Sequence, residues 1–232
     1  MLRDFSTRFT AWSFIAAASL FWGGWMLLPV HIGTFFEPDD FARVHDNFYF
    51  WIWTFRFHLF GMVVTVIALV ALASLLVNSP ARVMVWPGAA VASAGMIVGA
   101  VGAAFYYHHG AWGALDMHGK STAEIGAFVS ALQVDTEYVT CLVRFGRVFS
   151  GLGLLVLGAG LIKWNVLPIW IGWIAVAIGL AAMALTMLLP DHMSLYMPVF
   201  HVKALWLLVM GIVILRSGLR VDGSSEVVET QS

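Results

Sequence analysis

Six long apolar runs, separated by polar or proline-bearing stretches, constrain this chain more than any other feature. A helix crossing hydrocarbon needs about 20 mostly apolar residues, because no water is present to bond its backbone and a helix bonds its own. The runs cover residues 12–30, 53–77, 83–107, 139–162, 167–189 and 199–215. Punctuation falls between them. Asn78-Ser79-Pro80 makes a tight turn after the second run, Pro168 suits the first turn of the fifth, and Pro190 stops it. The sixth opens just after Pro198.

Composition agrees. Hydrophobic residues make up 61% and charged residues 11%, against roughly 45–50% and about 25% in an ordinary soluble domain. So few charges cannot keep a globule of this size in water. The expected fold is all-α: a polytopic bundle of six transmembrane helices in one domain, residues 1–220, followed by a disordered polar tail at 221–232. The bilayer is its first partner. Arg3 and Arg8 resemble the charged start of a signal peptide, but the apolar run continues through Trp22 and Trp25 without a small-residue cleavage site, which reads as an uncleaved first span.

Six crossings put both termini on one side. Arg3, Arg8, Arg82, Lys163, Arg216 and Arg220 lie there, whereas the opposite loops hold only Arg43 and Lys120. By the positive-inside rule the termini are cytoplasmic, in a plasma membrane of bacterial type. A net charge of -1 offers no basic face for nucleic acid. A single cysteine, Cys141, excludes an internal disulfide.

The two long loops, 31–51 and 108–124, then lie outside. The first carries a dense aromatic stretch, Phe48-Tyr49-Phe50-Trp51-Ile52-Trp53, fit for an interfacial belt or a short surface helix. The second ends in Ser121-Thr122-Ala123-Glu124, a capping-box pattern that starts a helix leading into the fourth span.

All eight histidines map to the outer half: His31, His45, His58, His108, His109, His118, His192 and His201. Charges within helices follow the same bias, with Arg56, Asp135, Glu137, Arg144, Arg147 and Lys203 all near outer ends. An ionisable group in hydrocarbon costs roughly 2.5–3.5 kcal/mol and marks a functional site by default. His58 and His201 sit at similar depth on two helices, each preceded by phenylalanine. Two such imidazoles suit one metal or the two faces of a haem. His31, His108, His109 and His192 are further candidate ligands. Adjacent His108 and His109 point about 100° apart, so both do not face one ion.

The leading expectation is therefore a membrane-embedded redox protein. It holds haem b, or copper or iron, near the outer face, and exchanges electrons with quinone. Arg56, Arg144 and Lys203 would neutralise propionates or an anionic substrate. Gly95, Gly99 and Gly102 form a small-residue track that either packs a neighbouring helix or makes room for a macrocycle. Glu137 and Arg144, on one helical face, would partly neutralise each other.

Two other classes fit. One is a non-redox binding or transport subunit whose cavity takes a small anion or a lipid headgroup on Arg144, Arg147 and Lys203. The other is a scaffold subunit of a larger membrane complex or homo-oligomer. The sequence lacks a phosphate-binding glycine loop, an H-E-x-x-H zinc motif, a C-x-x-C-H haem-attachment site and a serine nucleophile elbow.

Overall fold

The computed structural model describes residues 2–27, 35–189, 193–217 and 219, without the side chains of 2, 3 and 193–195. His31, His192 and the tail expected at 221–232 lie outside the described residues. Among those described there are seven helices and no strand. They are α1 (Leu2–Met26), α2 (Pro38–Asp46), α3 (Phe48–Leu75), α4 (Arg82–Met117), α5 (Thr122–Lys163), α6 (Ile169–Leu188) and α7 (Met193–Ser217). Five of them, α3 to α7, are long and apolar enough to cross a membrane, which marks an integral membrane protein.

Six helices close a ring in the order α1, α3, α4, α5, α6, α7 and back to α1, each packed on its two neighbours. Helix α2 stands outside the ring, against α3, α4 and α5. One end of the ring is made of short turns, where α3 passes to α4 and α5 to α6. The other end carries α2 and is called here the cap end.

The ring is sealed at its tight-turn end. Phe14, Leu69, Leu72, Leu157, Leu161, Ile171, Trp206 and Leu207 are all under 2% exposed there. Trp206 sets its ring edge-on to Phe14, with centroids 6.3 Å apart, and donates Nε1–H to the Ile171 carbonyl at 3.0 Å. In lipid such packing works through van der Waals contact, since tails are as apolar as leucine.

Glycine spacing fixes the α4–α5–α6 wall. Gly88, Gly95 and Gly102 recur every seven residues and face α5, which answers with Gly146, Gly153 and Gly160. About 140° around α5, Gly151 and Gly158 meet Gly179 and Gly172 of α6. A Cβ at Gly146 would lie 2.9 Å from the Gly95 carbonyl oxygen, and one at Gly158 would lie 2.7 Å from that of Gly172. The track of Gly95, Gly99 and Gly102 is thus filled by α5 and by Met62, and leaves no slot for a macrocycle.

The largest departure from expectation is at the cap end. The loop expected at 108–124 is nearly all helix: α4 runs on to Met117, and only a short turn with Gly119 at φ +74 precedes α5. Ser121 and Glu124 form the expected capping box, with the Ser121 amide donating to the Glu124 carboxylate at 2.9 Å. With 42 residues, α5 is about 63 Å long, twice the hydrocarbon thickness of about 30 Å. From the level where Gly102 meets Val143, α4 and α5 run on for about 22 and 32 Å, with α2 and the start of α3 packed beside them.

The overhang persists because it has its own core. Phe36, Phe41 and Val44 on and before α2 pack with Trp51, Ile52, Ala111, Ala114 and Leu132. Trp51 lies flat on Gly110 and donates to the Tyr106 carbonyl at 3.3 Å. Periodicity in hydropathy cannot reveal this second cluster, because its residues come from four separate segments.

The last helix also differs: α7 begins at Met193 and runs through Pro198 rather than opening after it. Proline that near a helix start costs a single internal hydrogen bond, and α4 carries Pro87 in the same place.

Candidate functional site

The expected site residues divide into three groups. Arg56, His108 and His109 belong to the overhang and its base. Arg56 donates to the Tyr107 hydroxyl at 3.3 Å and lies over the Trp53 ring, exposed. His108 stacks on Trp112, and His109 packs on Phe105 with centroids 4.5 Å apart. None of the three turns into the ring.

His58 and His201 are brought into one aromatic cluster. Trp25 touches both, at centroid distances of 5.6 and 5.8 Å, and Phe200 stacks on His58 at 5.5 Å. Phe21 closes the cluster beneath, 5.2 Å from Phe200. Gly24 makes the approach possible, since a Cβ there would meet His58 Nδ1 at 2.6 Å. His58 Nδ1 bonds the Thr54 carbonyl at 3.0 Å, so the proton sits on Nδ1 and Nε2 remains the acceptor. His201 is exposed on the ring's outer surface. Between the two imidazoles stand Trp25 and Phe200, and among the described residues no three His, Cys, Asp or Glu side chains are placed to hold a metal ion.

The third group lines the ring's interior from about the level of that cluster toward the cap. Lys203 reaches from α7 across the ring, its Nζ 3.3 Å from Ser150 Oγ on α5 and 3.4 Å from Met96 Sδ on α4. Phe21 lies 6.0 Å away on a further side. This level is about 20 Å from the tight-turn end and about 9 Å below the cap-side end of α6. No carboxylate among the described residues pairs with this ammonium. One turn closer to the cap, Arg147 places its guanidinium 4.3 Å from the centre of the Tyr196 ring. One turn beyond that, Arg144 donates to the Thr186 carbonyl at 3.1 Å. Glu137 accepts from Gln133 instead, so each member of the expected Glu137–Arg144 pair has another partner.

Helices α5 and α7 do not pack against each other, yet Arg147 with Tyr196 and Lys203 with Ser150 join them. Long polar side chains therefore span the interior at this level, where branched and aromatic residues fill it lower down.

Sequence reasoning placed Lys203 and Arg144 correctly on their helices but missed Ser150 and Met96. A serine in an apolar helix ordinarily bonds its own backbone, and nothing in its neighbours says otherwise. Comparison with known proteins gives no relative: no family model, curated protein or solved structure matches this chain.

Proposed function

We propose that this chain is a six-span membrane protein, with α1 as the sixth span, that binds a small anion or the anionic headgroup of a lipid within the cap-end half of its ring. Loop charge supports cytoplasmic termini and a site opening to the outside. The observation that carries the reading is the Lys203 ammonium, held inside the ring by Ser150 and Met96 with no carboxylate among the described residues beside it. A charge in that setting costs several kcal/mol unless something compensates it, and an anion is the compensation the site lacks. The sealed half below, closed by Phe14, Leu157 and Trp206, favours binding from one side over conduction.

The test is a thermal-shift and calorimetric titration of the purified chain in detergent, using chloride, acetate and inorganic phosphate. Saturable stabilisation that disappears in Lys203→Met supports the reading. Equal response of wild type and variant to every anion removes it.

A second reading keeps the redox protein, with haem b or a copper or iron centre on His58 and His201 and quinone as partner. It is favoured by one observation: a histidine whose Nδ1 is tied to a carbonyl presents Nε2 in the way a ligand does. The intervening Trp25 and Phe200 rings and the filled glycine track weigh against it. An absorption spectrum with metal analysis decides: a Soret band or stoichiometric metal, lost in His58→Ala, would restore it.

A further inference from the structure

Among the described residues, five of the ten buried hydroxyls turn back along their own helix, Ser79 and Ser150 meet other partners, and three meet none. Thr65 donates to the Gly61 carbonyl at 2.7 Å, Thr136 to Leu132 at 2.8 Å, Thr186 to Ala182 at 2.7 Å and Ser13 to Phe9 at 2.8 Å. Each turns back four residues along its own helix, the usual refuge for a hydroxyl in apolar surroundings. Thr54, Ser93 and Thr140 do not, although they are only 2%, 7% and 8% exposed, and their oxygens have no partner among the described residues. The Trp25 indole N–H is likewise unpartnered. Buried polar atoms left this way call for an acceptor or donor that the protein does not supply. None of the four lies nearer the tight-turn end than Ser93.

Two of them, Ser93 and Thr140, lie on the helices that carry Met96 and Ser150. Ser93 stands one turn along α4 from Met96, whose sulfur touches the Lys203 ammonium. Ser150, on α5, touches the same ammonium. From Ser150 toward the cap, Arg147, Arg144 and Thr140 follow at intervals of three, three and four residues, which keeps them near one face of the helix. That polar face is about 15 Å long. Beyond Ser150 in the other direction α5 buries only glycines and the leucines Leu154, Leu157 and Leu161.

We propose that the ligand of this site is a phosphate-type oxyanion, presented either as the free ion or as the head of a lipid, an inference that rests on the anion reading above. A halide is a single sphere and satisfies donors only within one contact shell. The polar groups here come from two helices, Ser150 of α5 and Lys203 of α7, with the Arg147 fork one turn above and the unpartnered Ser93 hydroxyl one turn along α4 from the Met96 sulfur. A tetrahedral group with several acceptor oxygens meets such a set, and a guanidinium matches its geometry. The free ion and the lipid head share this chemistry and differ only in the chain that one of them carries.

The experiment uses the full chain in detergent after exhaustive delipidation. Equilibrium binding is measured for inorganic phosphate, sulfate and chloride, and for vesicles of phosphatidylcholine with and without phosphatidic acid. Phosphate or phosphatidic acid should bind at least about tenfold more tightly than chloride. Ser93→Ala and Ser150→Ala should each weaken phosphate-type binding about five- to tenfold, the loss expected for one hydrogen bond to a charged group, and leave chloride within about twofold. Preference for phosphatidic acid over inorganic phosphate assigns the lipid source; equal or stronger binding of inorganic phosphate assigns the free ion. Chloride binding as well as phosphate, with both alanine variants silent, overturns the oxyanion inference while the anion reading stands. Failure of every anion to bind overturns both.

Discussion

Replacing Lys203 by methionine should make the empty protein more stable. Methionine keeps the unbranched stem that threads between α4 and α5 and removes the ammonium. The magnitude follows from depth. A lysine at the centre of a spanning helix costs roughly 2.5–3.5 kcal/mol on insertion scales. In a hydrocarbon slab of about 30 Å that starts at the tight-turn end, Lys203 would lie about 5 Å from the midplane, and it recovers part of that cost through Ser150 at 3.3 Å. A net gain of about 1–2 kcal/mol is therefore expected in Lys203→Met. The freed Ser150 hydroxyl can turn to the carbonyl of Gly146, as Thr136 does with Leu132. For a chain of this size each kcal/mol corresponds to about 2–4 °C, so the midpoint should rise by about 2–8 °C. The assay is thermal unfolding of delipidated protein in detergent, followed by near-ultraviolet dichroism, with chemical unfolding as a second measure. Binding and stability should move in opposite directions, as at sites where function is held at a cost to the fold. A midpoint that falls by several degrees would refute the reasoning, because the ammonium would then be a structural tie between α7 and α5.

Further expectations concern the frame. Gly158→Val should destabilise the protein by about 1–3 kcal/mol, because its β-carbon would meet the Gly172 carbonyl, whereas Gly126→Ala, with open space around it, should be neutral or mildly stabilising in the same unfolding assay. Trp206→Phe should cost about 1 kcal/mol by removing the indole's hydrogen bond to the Ile171 carbonyl, and difference fluorescence should show the loss of a buried indole. Ser121→Ala removes the α5 cap and should cost about 1 kcal/mol, read as faster amide exchange confined to the first turns of that helix. His45→Ala should leave any anion affinity unchanged, because that ring stacks on His118, 3.8 Å centroid to centroid, in the overhang and away from Lys203.

Much of the frame was legible because hydrocarbon imposes length and apolarity on any helix that crosses it. Apolar runs near 53–77 and 167–189 appear as α3 and α6 with ends shifted by a few residues. The extent of α4 and α5 was not legible. Gly110, Gly113 and Gly119 resemble loop residues, yet Gly110 serves as the seat of Trp51 and Gly113 as that of Phe41, and only Gly119 turns the chain. A glycine admitting a ring looks the same in sequence as one that bends the backbone. The candidate residues were legible by helix and depth but not by direction. Lys203, His58 and His201 share a level, but the first points across the ring and His201 lies on its surface. Rotation about a helix axis depends on which face the neighbours fill, and here glycine contacts between α4, α5 and α6 set that on one side only.

The glycine seam has a mechanical consequence. Close backbone approach at the glycines along α4, α5 and α6 leaves little room for side chains to yield between them, so the three helices behave as a stiff plate. Helix α5 belongs to that plate and also forms one leg of the projecting hairpin. A force applied to the hairpin tip, whether by a neighbouring protein or by the cell envelope, would tilt the plate as a unit and shift Ser150 relative to Lys203. The fold thus contains a mast fastened to the helix that carries Ser150.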